Sequence, residues 1–502
     1  MRPGSLSGHR SLHDLAGTCF PYNYLVIYRV HIQKPNKPEE TVSNNASASV
    51  VEAVSEPADL PYRQDARGCL AAHIGPTGLS APELTQALAS AEEALARLRQ
   101  EHEAGETPVL SIVRRRDDLD GFRLAAEQLA AGAKDVVLFG IGGSALAPRT
   151  LKQLAQFHHG GARHEPAFHV MDNPETPWME RFISRLDLEG LRFLVISKSG
   201  STAETLMQCL WAIDYLQVHG LGASIGRRML IITEPSAPQD NPLRRIAALY
   251  GIPVLEHPAD IGGRFAAFSI VGMLPACLLG LDAARLRASA EKVLDLALAP
   301  DTPLMENPPL LGAALHAGFL KARQLRAVIL MPYTSQLTLF TAWWRQLWAE
   351  SLGKKGLGPL PVSATGPLDQ HSQLQLFLEG PNDKLLTIIM PQTAGQGYRA
   401  PAALAQDADE RLSCLGGHTI GDLTDCEQRA TVESLMRKGR PVRSFQIPTL
   451  NEEVLGALFM HFMLETILTG YIMGINPYNQ PAVEFSKQIT RQLLRRLPIP
   501  QL

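Results

Sequence analysis

The densest chemistry in this sequence lies where an apolar run, Phe193 to Ile196, gives way to Ser197-Lys198-Ser199-Gly200-Ser201-Thr202 and then to Ala203-Glu204-Thr205. A buried strand that runs into a glycine-containing loop and then a helix places that loop at the carboxyl edge of a sheet, where open α/β sheets bind ligands. Ser201 and Glu204 have the S-x-x-E spacing of a capping box, which would account for one hydroxyl. Four hydroxyls, on Ser197, Ser199, Ser201 and Thr202, and the Lys198 cation exceed that need. Gathered at a helix N-terminus with free N–H groups, they suit an anion such as phosphate. Gly140 to Ser144 also follows an apolar run and would bring Ser144 and bare backbone to the same edge.

Glu350 lies near the end of a helical stretch, Trp343 to Leu352, that stops at Gly353. The negative pole of the helix dipole and neighbouring tryptophans both favour a carboxyl that can take up and return a proton, as a general base must. By pattern alone a surface Glu at a helix end is the commoner case. Arg264 follows Ile261-Gly262-Gly263, where paired glycines allow close backbone approach beside a fixed cation. His371, in Asp369-Gln370-His371-Ser372-Gln373, and Gln480 and Lys487, in Gln480-Pro481-Ala482-Val483-Glu484-Phe485-Ser486-Lys487, say little individually.

Familiar cofactor signatures fail. Gly140-Ile141-Gly142-Gly143-Ser144-Ala145 lacks the third glycine of G-x-G-x-x-G, and Gly353-Lys354 is followed by Lys355 rather than Ser or Thr, so no Walker A loop exists. His164 and His169 are spaced one residue too widely for H-E-x-x-H, and His158 and His159 read as solvated loop residues. No metal site and no cofactor are expected.

The elements that must position these groups alternate. Val136 to Phe139, Phe168 to Met171, Phe193 to Ser197, Met229 to Thr233 and Pro253 to Leu255 read as strands, with helical stretches such as Thr202 to Gln217 between them. This rhythm predicts a doubly wound parallel sheet. A second series, near Ala327 to Met331, Leu385 to Met390 and Val442 to Gln446, predicts another α/β domain of similar design. The helix starting near Ala81 can be capped by Ser80. Residues 1 to about 60, rich in Pro, Ser, Asn and Glu, read as a flexible extension or the product of an upstream start codon. The expected division is therefore 1–60, 61–295 and 296–502.

With 45% hydrophobic and 19% charged residues, the 502-residue chain can bury sizeable cores. A formal charge of −3, from 47 basic and 50 acidic residues, argues against nucleic acid as a main partner. Six scattered cysteines without C-x-x-C indicate neither a disulfide framework nor a cysteine zinc site, and suit a reducing cytoplasm. The longest apolar stretches, Phe265 to Leu281 and Leu455 to Ile475, carry polar interruptions and read as buried helices rather than membrane spans. No secretory signal is predicted.

Taken together, GIGGSALAP from Gly140, SKSGSTAET from Ser197, DIGGRFAAFS from Asp260, AESLGK from Ala349 with GPLDQHSQLQ from Gly366, and NQPAVEFSK from Asn479 resemble the phosphoglucose isomerase family. The resemblance spans roughly Leu60 to the C-terminus. It implies two sugar-isomerase (SIS) domains, each a parallel sheet flanked by helices, in a homodimer. It also implies interconversion of glucose 6-phosphate and fructose 6-phosphate without a metal or organic cofactor. On this reading Ser197, Lys198, Ser199 and Thr202 hold the phosphate of the hexose, with Ser144 near the sugar. Glu350 moves the proton between C2 and C1 through a cis-enediol, and Arg264 stabilises the enediolate. His371 and Lys487 open the sugar ring, His371 acting in the partner subunit's site, and Gln480 positions the substrate. The family usually has glycine where Ala482 and Ser486 stand. A dual phosphoglucose and phosphomannose isomerase would share Glu350, His371 and Lys487. A non-catalytic sugar-phosphate sensor would not need all three.

Overall fold

The computed structural model describes residues 54–55, 60–158 and 166–498, all within one compact unit. The amino-terminal extension expected up to about residue 60 lies almost wholly outside the described residues, as do His159 and His164.

The eleven described strands are β1 Val54–Ser55, β2 Arg63–Asp65, β3 Asp135–Phe139, β4 Ala167–Met171, β5 Leu191–Ile196, β6 Met229–Thr233, β7 Val254–Glu256, β8 Ala327–Pro332, β9 Leu360–Ser363, β10 Lys384–Pro391 and β11 Val442–Ile447. The first sheet has the order β4-β3-β5-β6-β7 and is parallel throughout. The second has the order β1-β2-β11-β10-β8-β9, parallel except for β1 and β2. Helices cover both faces of the central strands. β3 and β6 are accordingly buried along their whole length and read as continuous apolar runs rather than alternating ones.

Both sheets are doubly wound, as expected. From β3 the chain passes to β4 on one side and then to β5 on the other; from β8 it passes to β9 and then to β10. The crevices beside β3 and β8, at the carboxyl ends of the strands, are therefore switch points where ligands bind in such sheets. The eight strands read from apolar runs all form within one or two residues of their expected limits. β9 escaped that reading because it is short, edge-placed and carries Pro361.

Val54–Ser55 lies inside the expected extension yet pairs with β2, so regular structure begins ahead of residue 60. β2, from the first half of the chain, completes the sheet of the second half by pairing with β11. The expected division at 295 and 296 falls within the helix Ala283–Leu298.

The helix Glu452–Ile472 forms the centre of the core, packing on Ala283–Leu298, Pro308–Arg323 and Thr338–Leu352. Among the described residues it is the one helix long and apolar enough to cross a membrane, and nearly all of it is buried inside the fold. The other long apolar stretch is broken into a 3₁₀ segment, Gly263–Phe268, and the buried helix Ile270–Leu278.

A polar cluster crosses this core. The fully buried Glu465 accepts two 2.7 Å hydrogen bonds from Arg443 and one 3.1 Å bond from the Nε2 of each of His316 and His461. The carboxylate requires both histidines to carry their proton on Nε2, which leaves His461 Nδ1 to accept from the Tyr62 hydroxyl at 2.8 Å. All four lone-pair directions of the carboxylate are used, as a buried charge demands. Burial holds both imidazoles below their usual pKa. Burial also works against the Glu465 charge, but Arg443 and the histidines outweigh it and hold the carboxyl well below the usual carboxylate range.

Candidate active site

The loop Ser197–Thr202 leaves β5 at the switch point of the first sheet. The capping box that Ser201 and Glu204 could have made does not form. Thr202 occupies the N-cap of the helix Ala203–Val218 without a side-chain cap bond, and its hydroxyl instead accepts from Ser197 Oγ at 3.0 Å. Ser199 and Ser201 pair with each other at 2.9 Å. The hydroxyls are thus turned towards one another across the loop, and the helix keeps free N–H groups at its positive end.

The loop's shape is imposed from beneath. Gly200 has φ +61°, and a Cβ there would lie 1.8 Å from Asn241 Oδ1. Asn241 is itself fixed, capping the helix Pro242–Tyr250 and donating to Thr233 Oγ1 at 2.9 Å. Thr233 in turn donates to the Lys198 carbonyl at 3.0 Å. His257, at the end of β7, lies in the field of Lys198. Burial pushes its imidazole down to about 4, so Lys198 meets a neutral neighbour around pH 7.

Ser144 ends a short 3₁₀ turn after β3. This turn and the Arg264 loop meet backbone to backbone: a Cβ on Gly143 would lie 2.3 Å from the carbonyl carbon of Gly263. The approach is possible only with glycine and delivers Arg264 to the carboxyl edge of the first sheet.

Arg264 is 1% exposed and fully engaged. Nε donates to Ser351 Oγ at 2.8 Å, Nη1 to Glu350 Oε2 at 3.3 Å and to Gln480 Oε1 at 2.7 Å, and Nη2 to the Pro477 and Asn479 carbonyls at 2.6 and 3.2 Å. Burial lowers its pKa and Glu350 acts in the opposite direction. Glu350 stands in the last turn of the helix Thr338–Leu352, as expected, with its side chain 30% exposed. Its second oxygen accepts from Gln346 Nε2 at 2.9 Å. The tryptophans do not wall the carboxylate as their spacing suggested. Trp343, Trp344 and Trp348 are buried against the core, and Trp343 instead donates to the Arg264 carbonyl at 3.1 Å.

Sequence-expected residues thus converge in part. Ser144, the Ser197–Thr202 loop and Arg264 share the edge of the first sheet, and Arg264 draws Glu350 and Gln480 to it. His371 and Lys487 stand apart. His371 is exposed, following a 3₁₀ turn beyond β9. Lys487 projects from the exposed helix Val483–Arg496, paired with Glu484 at 2.7 Å. Sequence reading missed Gln346 and Ser351, the polar neighbours of Glu350 and Arg264. Gln346 falls one helical turn before Glu350, a spacing that could have flagged it. It also missed Lys354, which lines, with Glu350 and Gln480, a cavity of about 1050 Å³.

Two doubly wound parallel sheets, with a hydroxyl-rich loop at the switch point of the first, define a protein of the sugar-isomerase fold class. A model of the phosphoglucose isomerase family matches residues 126–366. A glucose-6-phosphate isomerase of Rubrobacter xylanophilus is 35% identical over 76% of this chain and 87% of its own. One from Thermus thermophilus is 37% identical over 72% and 84%. The chain belongs to the phosphoglucose isomerase family. Among solved structures, a hypothetical protein of Thermus thermophilus is 33% identical with a TM-score of 0.74, covering 86% of this chain and 99% of that one. A glucose-6-phosphate isomerase of Chlamydia trachomatis, 19% identical over 87% of this chain and 90% of its own, shares the fold with a TM-score of 0.73.

Proposed function

We propose that this protein interconverts glucose 6-phosphate and fructose 6-phosphate in the cytoplasm, by proton transfer between C2 and C1 through a cis-enediol. The observation that carries this reading is the meeting of Arg264, whose loop abuts the Ser144 turn, with Glu350 and Gln480. The relatives named as glucose-6-phosphate isomerases support the substrate.

Ser197, Lys198, Ser199 and Thr202 bind the phosphate dianion through hydroxyls, one ammonium and the N-terminal amides of the helix. Ser144 and Gln480 orient the sugar. Glu350 removes the C2 proton and returns it to C1, while Gln346 and Arg264 hold its two oxygens. As the C–H bond breaks, charge grows on the sugar oxygen, and Arg264 meets it when that oxygen replaces Glu350 or Gln480 on Nη1. Ring opening falls to Lys487 and to His371 of the opposite subunit in a homodimer with shared sites. Lys487 stands one turn into the helix Val483–Arg496, whose first residue lines the same cavity as Glu350.

We retain two sugar-isomerase domains, 61–295 and 296–502, as the functional division, with β1 and β2 contributed to the second sheet. A coupled assay with glucose 6-phosphate and mannose 6-phosphate in parallel, in EDTA, tests the reading. Turnover of the first alone supports it. Turnover of both makes the protein a dual isomerase, and turnover of neither sinks the proposal.

A further inference from the structure

Four carbonyls of the turn that presents Gln480, residues 474–480, are held by three cations. Arg264 takes those of Pro477 and Asn479, and Lys355 Nζ takes that of Gly474 at 3.0 Å. Lys354 Nζ takes that of Asn476 at 2.6 Å and, with the same ammonium, the Ser351 carbonyl at 2.9 Å. Ser351 directly follows Glu350 and receives Arg264 Nε. Lys354 therefore spans the two segments that carry Glu350 and Gln480. We propose that Lys354 is a positioning residue for this site, its ammonium fastening the Gln480 turn to the helix end that carries Glu350.

The setting makes that fastening sensitive to proton loss. Burial and the nearby Arg264 push Lys354 down to about 8, against the pull of Glu350. Lys355 adds a second cation from the same segment. Across the cavity stand Arg97 and Glu101, paired at 2.7 Å, with Glu106 beyond them. Tyr471, and Tyr478 within the turn itself, both titrate above their usual value, so they stay neutral when Lys354 loses its proton. A neutral amine still donates hydrogen bonds, but weaker ones than the charge-assisted pair.

The activity readout rests on the isomerase reading; a second readout does not. Wild type, Lys354→Met and Lys354→Arg are compared for kcat and KM between about pH 6.5 and 9.5. The expected wild-type kcat/KM has an alkaline limb centred near the Lys354 value. Lys354→Arg keeps neutral activity and loses that limb, because guanidinium stays charged. Lys354→Met falls about ten- to a hundredfold at neutral pH and shows no limb. Hydrogen exchange over residues 474–482, without substrate, should show protection at neutral pH in wild type and Lys354→Arg and its loss in Lys354→Met. Unchanged exchange in Lys354→Met overturns the proposal whatever the enzyme's substrate. So does a Lys354→Arg enzyme that retains the wild-type limb, which covers the case of a Met variant that does not fold. If the wild type turns over neither hexose phosphate, the function fails and exchange alone decides Lys354.

Discussion

Glu350 and His371 occupy opposite edges of the second sheet. The helix Thr338–Leu352 begins just after β8 and runs back antiparallel to it, so Glu350 in its last turn lies at the amino edge. His371 follows β9, parallel to β8, at the carboxyl edge. The 15-residue helix is about 22 Å long, and that length separates the two edges. Within one chain the expected base and the expected ring-opening histidine therefore do not meet, which supports His371 serving a second subunit. Glu350→Gln and His371→Ala, each inactive alone, should regain activity on co-expression. Random pairing makes about half of the dimers mixed, each with one intact site, for about a quarter of wild-type sites. Verified heterodimers without activity would remove His371 from the partner's site.

Arg264 holds Glu350 by one 3.3 Å bond and the rest of its guanidinium holds other partners, so Glu350→Gln should leave the local frame standing. We expect kcat to fall by about 10² to 10⁴ with little change in KM. Deuterium exchange from solvent into C2 of glucose 6-phosphate should disappear with it. Persistent exchange would assign the base elsewhere.

Ser197→Ala and Lys198→Ala should chiefly raise KM, each by about 1.5 to 3 kcal/mol of lost charge-assisted binding, and inorganic phosphate should compete with substrate. Gly200→Ala meets both a left-handed backbone and the Asn241 side chain, and should weaken phosphate binding further while lowering Tm. Calorimetric titration with phosphate reads all three. Unchanged affinity in every variant would reduce the loop to a helix start.

The Glu465 cluster predicts acid sensitivity well above the usual carboxylate range. His316 and His461 are held neutral in the fold, below their ordinary value of 6.5. The unfolded chain then binds more protons than the folded one once pH drops below about 6.5, so stability is full above that value and lost as pH falls. The slope approaches about 1.4 kcal/mol per pH unit for each histidine. Glu465, lowered in the fold, adds to the same loss only below about pH 4.5. Thermal unfolding at about pH 7 and pH 5.5 should show the drop, and His461→Gln should reduce it. Glu465→Gln should cost about 3 to 5 kcal/mol near pH 7, because it strands Arg443.

The parallel strands were legible because burial on both faces makes them continuous apolar runs, and Ser197–Thr202 was legible because its hydroxyls outnumber what a cap uses. Glu350 and Arg264 were visible as residue types with suggestive neighbours, whereas their contact depends on the Gly143 and Gly263 approach, which periodicity does not encode. The tryptophans misled because three aromatics near one carboxylate look like its wall, when all three are buried in the core and the helix end that carries Glu350 reaches solvent. β1 and β2 carry too few residues for any pattern, and their partner strand lies at the other end of the chain.

That last pairing bears on how the protein is made. Tyr62, beside β2, hydrogen-bonds His461, 399 positions further along. At ribosomal speeds of about 5 to 20 residues per second, the early strand waits roughly 20 to 80 s for its partners to be synthesised. The first sheet can close as soon as β7 has been made, whereas the second waits for β11. Until then the edge of β2 that β11 will cover stands open, a template on which another chain could pair.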